Sequence, residues 1–211
     1  PHTGRSAILR RAADIWLAHA ADIEWWGIRE SGKIPPAMQF ETHVATQEIY
    51  EATTLPSRAY GELLPSEQPR LSFAERLPVG VIGVIAPFNF PQILAIRSVA
   101  PALALGNAVV LKPDPRTAVC GGVVLARVFE EAGLPDGLLH VLPGGADTGE
   151  AVVTDPAIRL ISFTGSTAAG RRVGELAARL LKRVHLELGG NSALIVLDDV
   201  ALPSGKIRIR T

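Results

Sequence analysis

Apolar residues are distributed in two different ways along the chain. Ile8, Ala12, Ile15, His19, Ile23 and Trp26 recur at steps of three and four, the spacing of one helix face. This predicts one long helix ending near Ser31-Gly32. Pro35-Pro36 then opens a second helix running to about residue 54. Residues 55–77 lose the periodicity. Pro56, Gly61, Pro65 and Pro69 punctuate short polar segments, which predicts an extended hairpin.

From Pro78 the apolar positions cluster into short continuous runs. Val79 to Ala86 has the unbroken apolar character of a strand buried on both faces. The pattern then predicts a helix over 91–105, a strand over 107–112, and a helix over 117–132 stopped by Gly133 and Pro135. A strand over 138–142, a short helix over 147–153, a strand over 158–163 and a helix over 168–182 follow. Two further strands are expected at 184–188 and 193–197. Strands alternating with helices through short loops predict an α/β fold, a Rossmann-like parallel sheet with flanking helices. In such sheets ligands bind beyond the carboxyl ends of the strands. Asn89, Lys112, Gly145, Gly165, Ser166 and Glu187 all fall there.

Composition narrows the function. The 211 residues carry 21 Lys and Arg against 21 Asp and Glu, so no basic excess exists to follow a phosphate backbone. A nucleic-acid partner is not expected. Hydrophobic residues at 47% and charged residues at 20% describe a chain that folds rather than a disordered one. The apolar region 77–111 is interrupted by Arg97 and by prolines at 87, 91 and 101. Its pieces are shorter than the roughly 20 residues of a spanning helix. No membrane partner is expected. One cysteine and five scattered histidines predict neither a disulfide nor a metal site. The start at Pro1 shows no signal peptide, and a cytoplasmic location is expected.

Each candidate residue has a chemical and a bland reading. Phe163-Thr164-Gly165-Ser166 joins a strand to a helix, whose free N–H groups suit an anion such as a pyrophosphate; it equally fits a tight turn that binds nothing. Arg171-Arg172 stand where a Walker motif needs Lys and Ser/Thr, which weakens an ATPase reading. Lys112 is either a solvated strand end or a contact to ribose or phosphate. Asn89, between two prolines and two aromatics, is either a turn-former or an amide able to steady an oxyanion. Glu187, among Leu186, Leu188 and two glycines, is either an exposed strand residue or a desolvated general base. Cys120 reads as an inert packing residue within a helix. Neither Ser192 nor Ser166 has the flanking glycines of a hydrolase elbow.

The order of these motifs is more specific than any one of them. Pro-Phe-Asn-Phe-Pro at 87–91, Gly-Asn-Ala-Val-Val-Leu-Lys-Pro at 106–113, Phe-Thr-Gly-Ser-Thr at 163–167 and Glu-Leu-Gly-Gly-Asn at 187–191 resemble the NAD(P)-dependent aldehyde dehydrogenase superfamily. The likeness covers about residues 5–200. Lys-Pro-Asp-Pro at 112–115 and Leu64-Pro65-Ser66-Glu67 are most similar to the benzaldehyde dehydrogenase branch.

The resemblance implies roles. Ile85, Ala86, Pro87 and Phe88 would line the nicotinamide side of a cleft for NAD or NADP, and Asn89 would be the oxyanion amide. Lys112 would contact the adenosine ribose, and Gly145 and Gly149 the adenine side. Phe163, Gly165 and Ser166 would cradle the pyrophosphate. Glu187 would activate water, with Leu188 and Gly189 beside the nicotinamide. A complete enzyme of this kind forms a thiohemiacetal on a cysteine, passes hydride to NAD(P)+ and releases the acid. The implied organisation is a helical part of the cofactor domain at 1–58, an oligomerisation hairpin at 59–77, a Rossmann-like core at 78–200 and an atypical tail at 201–211. The hairpin implies a homo-oligomer.

Three departures from the family pattern matter. Pro115 stands where the family often has a ribose-binding glutamate, so NADP is expected to be tolerated beside NAD, with Asp114 a partial substitute. The family's nucleophilic cysteine lies about thirty residues beyond Glu-Leu-Gly-Gly, a position these 211 residues do not reach, and Cys120 does not match it. The thiol domain is therefore expected to be absent, and the chain inactive toward aldehydes by itself. Residues 201–211 do not follow the family pattern. The rival expectation is a non-catalytic nucleotide-binding or assembly module from a truncated gene.

Overall fold

The computed structural model describes residues 1–190 and 192–193. Three helices lead: α1 (His2–Ala18), α2 (Ala20–Ser31) and α3 (Pro35–Ala52). A hairpin follows, β1 (Gly61–Leu64) antiparallel to β2 (Ser72–Glu75). Then come β3 (Val81–Ile85), α4 (Pro91–Ala104), β4 (Ala108–Lys112), α5 (Val124–Glu131) and β5 (Leu139–Val141). The last described elements are α6 (Ala146–Thr154), β6 (Ile158–Thr164), α7 (Thr167–Arg179) and β7 (Arg183–Glu187).

Strands β3 to β7 form one parallel sheet in the order β5-β4-β3-β6-β7. The chain starts at the centre, fills one side, then crosses to the other. The direction of winding reverses around β3, and this is where open α/β sheets leave a crevice beyond the strand ends. Two cores cover the two faces. One joins β3 and β4 to α1, α3, α4 and α5 around Trp16, Ile96, Leu111 and Phe129. The other joins β3 and β6 to α6 and α7 around Val153, Ile161 and Phe163. Both faces of the central strands are thus apolar, as the unbroken runs require.

The parallel sheet and flanking helices agree with the expected α/β class. Two local expectations are corrected. The first helix is broken at His19, whose φ of −104° and ψ of 16° leave the helical range. Its buried face is also turned by one residue: Leu9, Ala12, Ala13 and Trp16 are buried, while Trp26 is exposed. The break lets α2 lean on α3 rather than continue along the face of α1. The helix expected over 117–132 opens instead with a 3-10 turn (Pro115–Thr117) and a π-helical turn (Val119–Val123). The Glu30 carboxylate accepts the N–H groups of Val119 and Cys120 at 3.0 and 2.7 Å. Gly121 and Gly122 let Pro91 and Pro113 pack closely against this turn. A Cβ at Gly121 would sit 2.8 Å from the Pro91 side chain, and one at Gly122 2.8 Å from Pro113. The strand expected at 193–197 lies, beyond residue 193, outside the described residues, as does the 201–211 tail.

Candidate functional site

A cleft of about 690 Å3 opens at the carboxyl ends of β3, β4 and β6. Its volume is within the usual range for ligand sites. From β3 and the loop after it come Ile85, Ala86, Pro87 and Phe88. Lys112 enters from the end of β4. Gly145 and Gly149 stand at the start and middle of α6, and Phe163, Gly165 and Ser166 at the turn into α7. Residues scattered over eighty positions of sequence are therefore neighbours in one crevice. A second hollow of about 620 Å3 lies at the opposite, amino ends of the strands, among Arg159, Lys182 and Arg183. It contains none of the expected site residues.

Two helices begin at the cleft. Ser166 caps α7, its Oγ accepting the Ala169 N–H at 3.3 Å. The first N–H groups of α7 have no acceptor within the helix and carry its partial positive charge. Gly145 starts α6 without a side-chain cap. A Cβ at Gly149 would have open space apart from Ile85 at 4.0 Å, whereas one at Gly165 would lie 2.7 Å from the Phe163 ring. Gly165 therefore keeps both the ring and the turn in place. Such a cradle fits a pyrophosphate between helix ends, with apolar strand-end residues for a ring beyond it.

Lys112 supplies the positive charge inside the cleft. The residue is 7% exposed, and burial holds its ammonium below the usual lysine range, with Asp114 and Asp147 opposing that shift. The cleft mouth has two ion pairs. Arg116 makes a two-pronged contact with Asp114 at 2.8 and 2.9 Å and stacks over the Phe88 ring at 3.6 Å. Hydrogen bonding from Arg116 holds the Asp114 carboxyl below its ordinary range. Arg172 on α7 bonds Glu150 on α6 at 2.9 Å, and this bond likewise lowers the Glu150 carboxyl.

Known proteins share this fold. A profile of the aldehyde dehydrogenase family matches residues 1–204. The chain belongs to the aldehyde dehydrogenase family. It is 73% identical over 198 residues to a vanillin dehydrogenase of Amycolatopsis sp., covering 94% of this chain and 41% of that protein. It is 53% identical over 203 residues to benzaldehyde dehydrogenase [NAD(+)] of Pseudomonas putida, covering 96% and 42%. The crystal structure of a NAD-dependent benzaldehyde dehydrogenase from Corynebacterium glutamicum superposes with a TM-score of 0.88 at 47% identity, covering 91% of this chain and 43% of that one. These relatives bear out the resemblance to the benzaldehyde dehydrogenase branch. The chain spans about two fifths of the length of the relatives it matches.

In this aldehyde dehydrogenase segment, the remaining expected site residues lie beside the cleft rather than in its lining. Asn89 is exposed in the loop between β3 and α4. Leu188 packs over Gly170 of α7, and a Cβ at Gly189 would stand 3.4 Å from Thr167 Oγ1. Both therefore run past the start of α7. Glu187 ends β7, and its carbonyl accepts the Gly165 N–H at 3.0 Å. Its side chain is 64% exposed and lies 3.3 Å from His185 Nε2. Among the described residues β7 lies at the edge of the sheet with most of its residues facing solvent, as in the exposed-strand reading of Glu187. Cys120 is buried, and burial, reinforced by Glu30, pushes its thiol well above the usual range. That is the inert behaviour expected of it.

Asp114 was expected near the ribose, but its pairing with Arg116 and the Glu150–Arg172 pair were not foreseen at the cleft. Arg116 had a usable signal, since it follows Lys112 closely at a strand end. The Glu150–Arg172 pair joins two helices and has no signature in spacing along the chain. Among the described residues no group of three His, Cys, Asp or Glu is placed to hold a metal ion, and no helix is long and apolar enough to cross a membrane.

Proposed function

We propose that this chain is the cofactor-binding part of a cytoplasmic dehydrogenase that oxidises an aldehyde, aromatic by the names of its relatives, to the acid with NAD+ or NADP+. The observation that carries the reading is the cleft itself. Three strand ends, two helix N-termini and a buried lysine converge there with a ring-sized apolar floor. The bound dinucleotide supplies the hydride acceptor. Lys112 holds the adenosine ribose or its phosphate. The α7 N–H groups and Gly165 hold the pyrophosphate, and Ile85 to Phe88 flank the nicotinamide, with Leu188 and Gly189 nearby. The Asn89 amide donates to the aldehyde oxygen as negative charge develops on it. Glu187 takes a proton from water in the release of the acid. Cys120 is buried and outside the cleft lining, so it is not assigned the nucleophile's role.

The hairpin supports self-association. Leu63 and Phe73 face each other across it at 76% and 61% exposure, an apolar pair that a second copy would cover.

Hydrogen exchange with and without NAD+ tests the reading. Protection is expected at the amides of 145–149 and 165–169. Protection confined to the hollow around Arg159 and Lys182, or none at saturating dinucleotide, would refute it.

A further inference from the structure

The loop that carries Asn89 is held from below by a buried ion pair that no part of the cofactor cleft requires. Phe90 occupies the N-cap of α4 and has no capping side chain. A Ser or Asp at that position would cap the helix locally. Instead the cap comes from α3. Glu41, fully buried, accepts the Gln92 N–H at 2.7 Å with one oxygen and pairs with Lys33 through the other. The Gln92 side chain is fixed as well, its Oε1 accepting from Thr42 Oγ1 at 3.0 Å. The Lys33 ammonium also sits 3.8 Å from the centre of the Phe90 ring. Lys33 is largely shielded, with a side chain 15% exposed, and desolvation strengthens a contact between a cation and a ring.

Burying a carboxylate is costly unless its partners are well placed. Here it is spent at one location, where Phe90 and Gln92 leave the Asn89 loop. Phe88, on the other side of Asn89, lies under Arg116, which is itself paired with Asp114. Asn89 therefore stands between two aromatic rings, each covered by a cation that a carboxylate holds.

We propose that Lys33 and Glu41 are positioning residues for Asn89: through Phe90 and the Gln92 N–H they fix the loop so that the amide points at the aldehyde oxygen. The proposal rests on the oxyanion role given to Asn89 above. Neither residue lines the cleft.

The test is a double-mutant cycle in a full-length dehydrogenase containing this segment, with benzaldehyde and NAD+. Lys33→Met is expected to lower kcat roughly 10- to 100-fold, the scale of a misplaced catalytic group. The KM for aldehyde and the Kd for NAD+ should change less than about threefold, and Lys33→Arg should recover most of the rate. In an Asn89→Ala background the same change should cost less than about twofold, because a residue acting through Asn89 has nothing left to position. Glu41→Gln, close in shape, gives the same reading if Lys33→Met does not fold. Equal losses in both backgrounds, or cofactor affinity falling in step with kcat, would overturn the proposal. A parent enzyme that does not oxidise benzaldehyde, or an Asn89→Ala variant with undiminished kcat, would instead remove the functional reading on which it stands.

Discussion

The Gly165 N–H donates to the Glu187 carbonyl at 3.0 Å. This bond ties the turn at the head of α7 to the end of β7. The same short stretch of sheet edge thus positions both the pyrophosphate cradle and the candidate base. A Cβ at Gly165 would meet the Phe163 ring at 2.7 Å, so any larger residue must move the ring or the turn. Gly165→Val should weaken NAD+ binding by at least about tenfold while circular dichroism shows an intact fold. Calorimetric titration of the variant checks this.

Lys112 should affect stability and binding in opposite directions. Burial lowers its pKa, so unfolding lets it take up a proton at pH values between the lowered value and the ordinary 10.5. The unfolded chain holds more protons there, and stability rises with pH through that window. Lys112→Met should therefore raise Tm at neutral pH, with the gain shrinking as pH approaches 10.5. It should also raise the Kd for the dinucleotide about tenfold, the scale of a lost charged contact. Thermal melts across pH, paired with titrations, read both effects.

Discrimination between NAD+ and NADP+ is expected to depend on Asp114 being occupied. Both of its oxygens are bonded to Arg116, leaving no free carboxylate to repel a 2′-phosphate. The two Kd values should lie within about tenfold of each other. Pro115→Glu should raise the Kd for NADP+ roughly tenfold or more and that for NAD+ by far less. Arg116→Ala, which releases the Asp114 carboxylate, should shift preference the same way.

Gly83 marks how closely α6 packs on the sheet. A Cβ there would lie 2.7 Å from Val152 and 3.1 Å from Ile161. Gly83→Ala should cost about 1–3 kcal/mol by overpacking. Urea denaturation with an unchanged m-value confirms that the loss is in the folded state.

Much of the fold was legible because each element had its own local cause. The glycines and prolines that end the helices, and the unbroken apolar runs of β3 and β6, act at short range. The break at His19 was not legible. Nothing in its neighbourhood forbids a helix, and the break arises from how α2 meets α3. The π-helical turn depends on Glu30, nearly ninety residues away. The site divides in the same way. Lys112, Gly165 and the residues after β3 could be placed because strand ends in a parallel sheet converge. For Glu187 the sequence leaves two settings open, and among the described residues its apolar neighbours do not enclose its side chain. The Lys33–Glu41 pair was missed for the reason that hides most ion pairs: its effect is on Gln92, 51 residues beyond Glu41.

Exposed Leu63 and Phe73 predict the effect of a charge at the hairpin. Phe73→Asp should convert an oligomer to a smaller species without loss of helix content. Light scattering after size exclusion reads the change.

The cleft at the strand ends is proposed to bind a nicotinamide dinucleotide. The most direct measurement is calorimetric titration of the folded chain with NAD+ and NADP+, with Gly165→Val alongside. One saturable site per chain is expected for each dinucleotide, weakened at least about tenfold by the substitution. No binding of either by the folded chain, or binding that Gly165→Val leaves untouched, would contradict it.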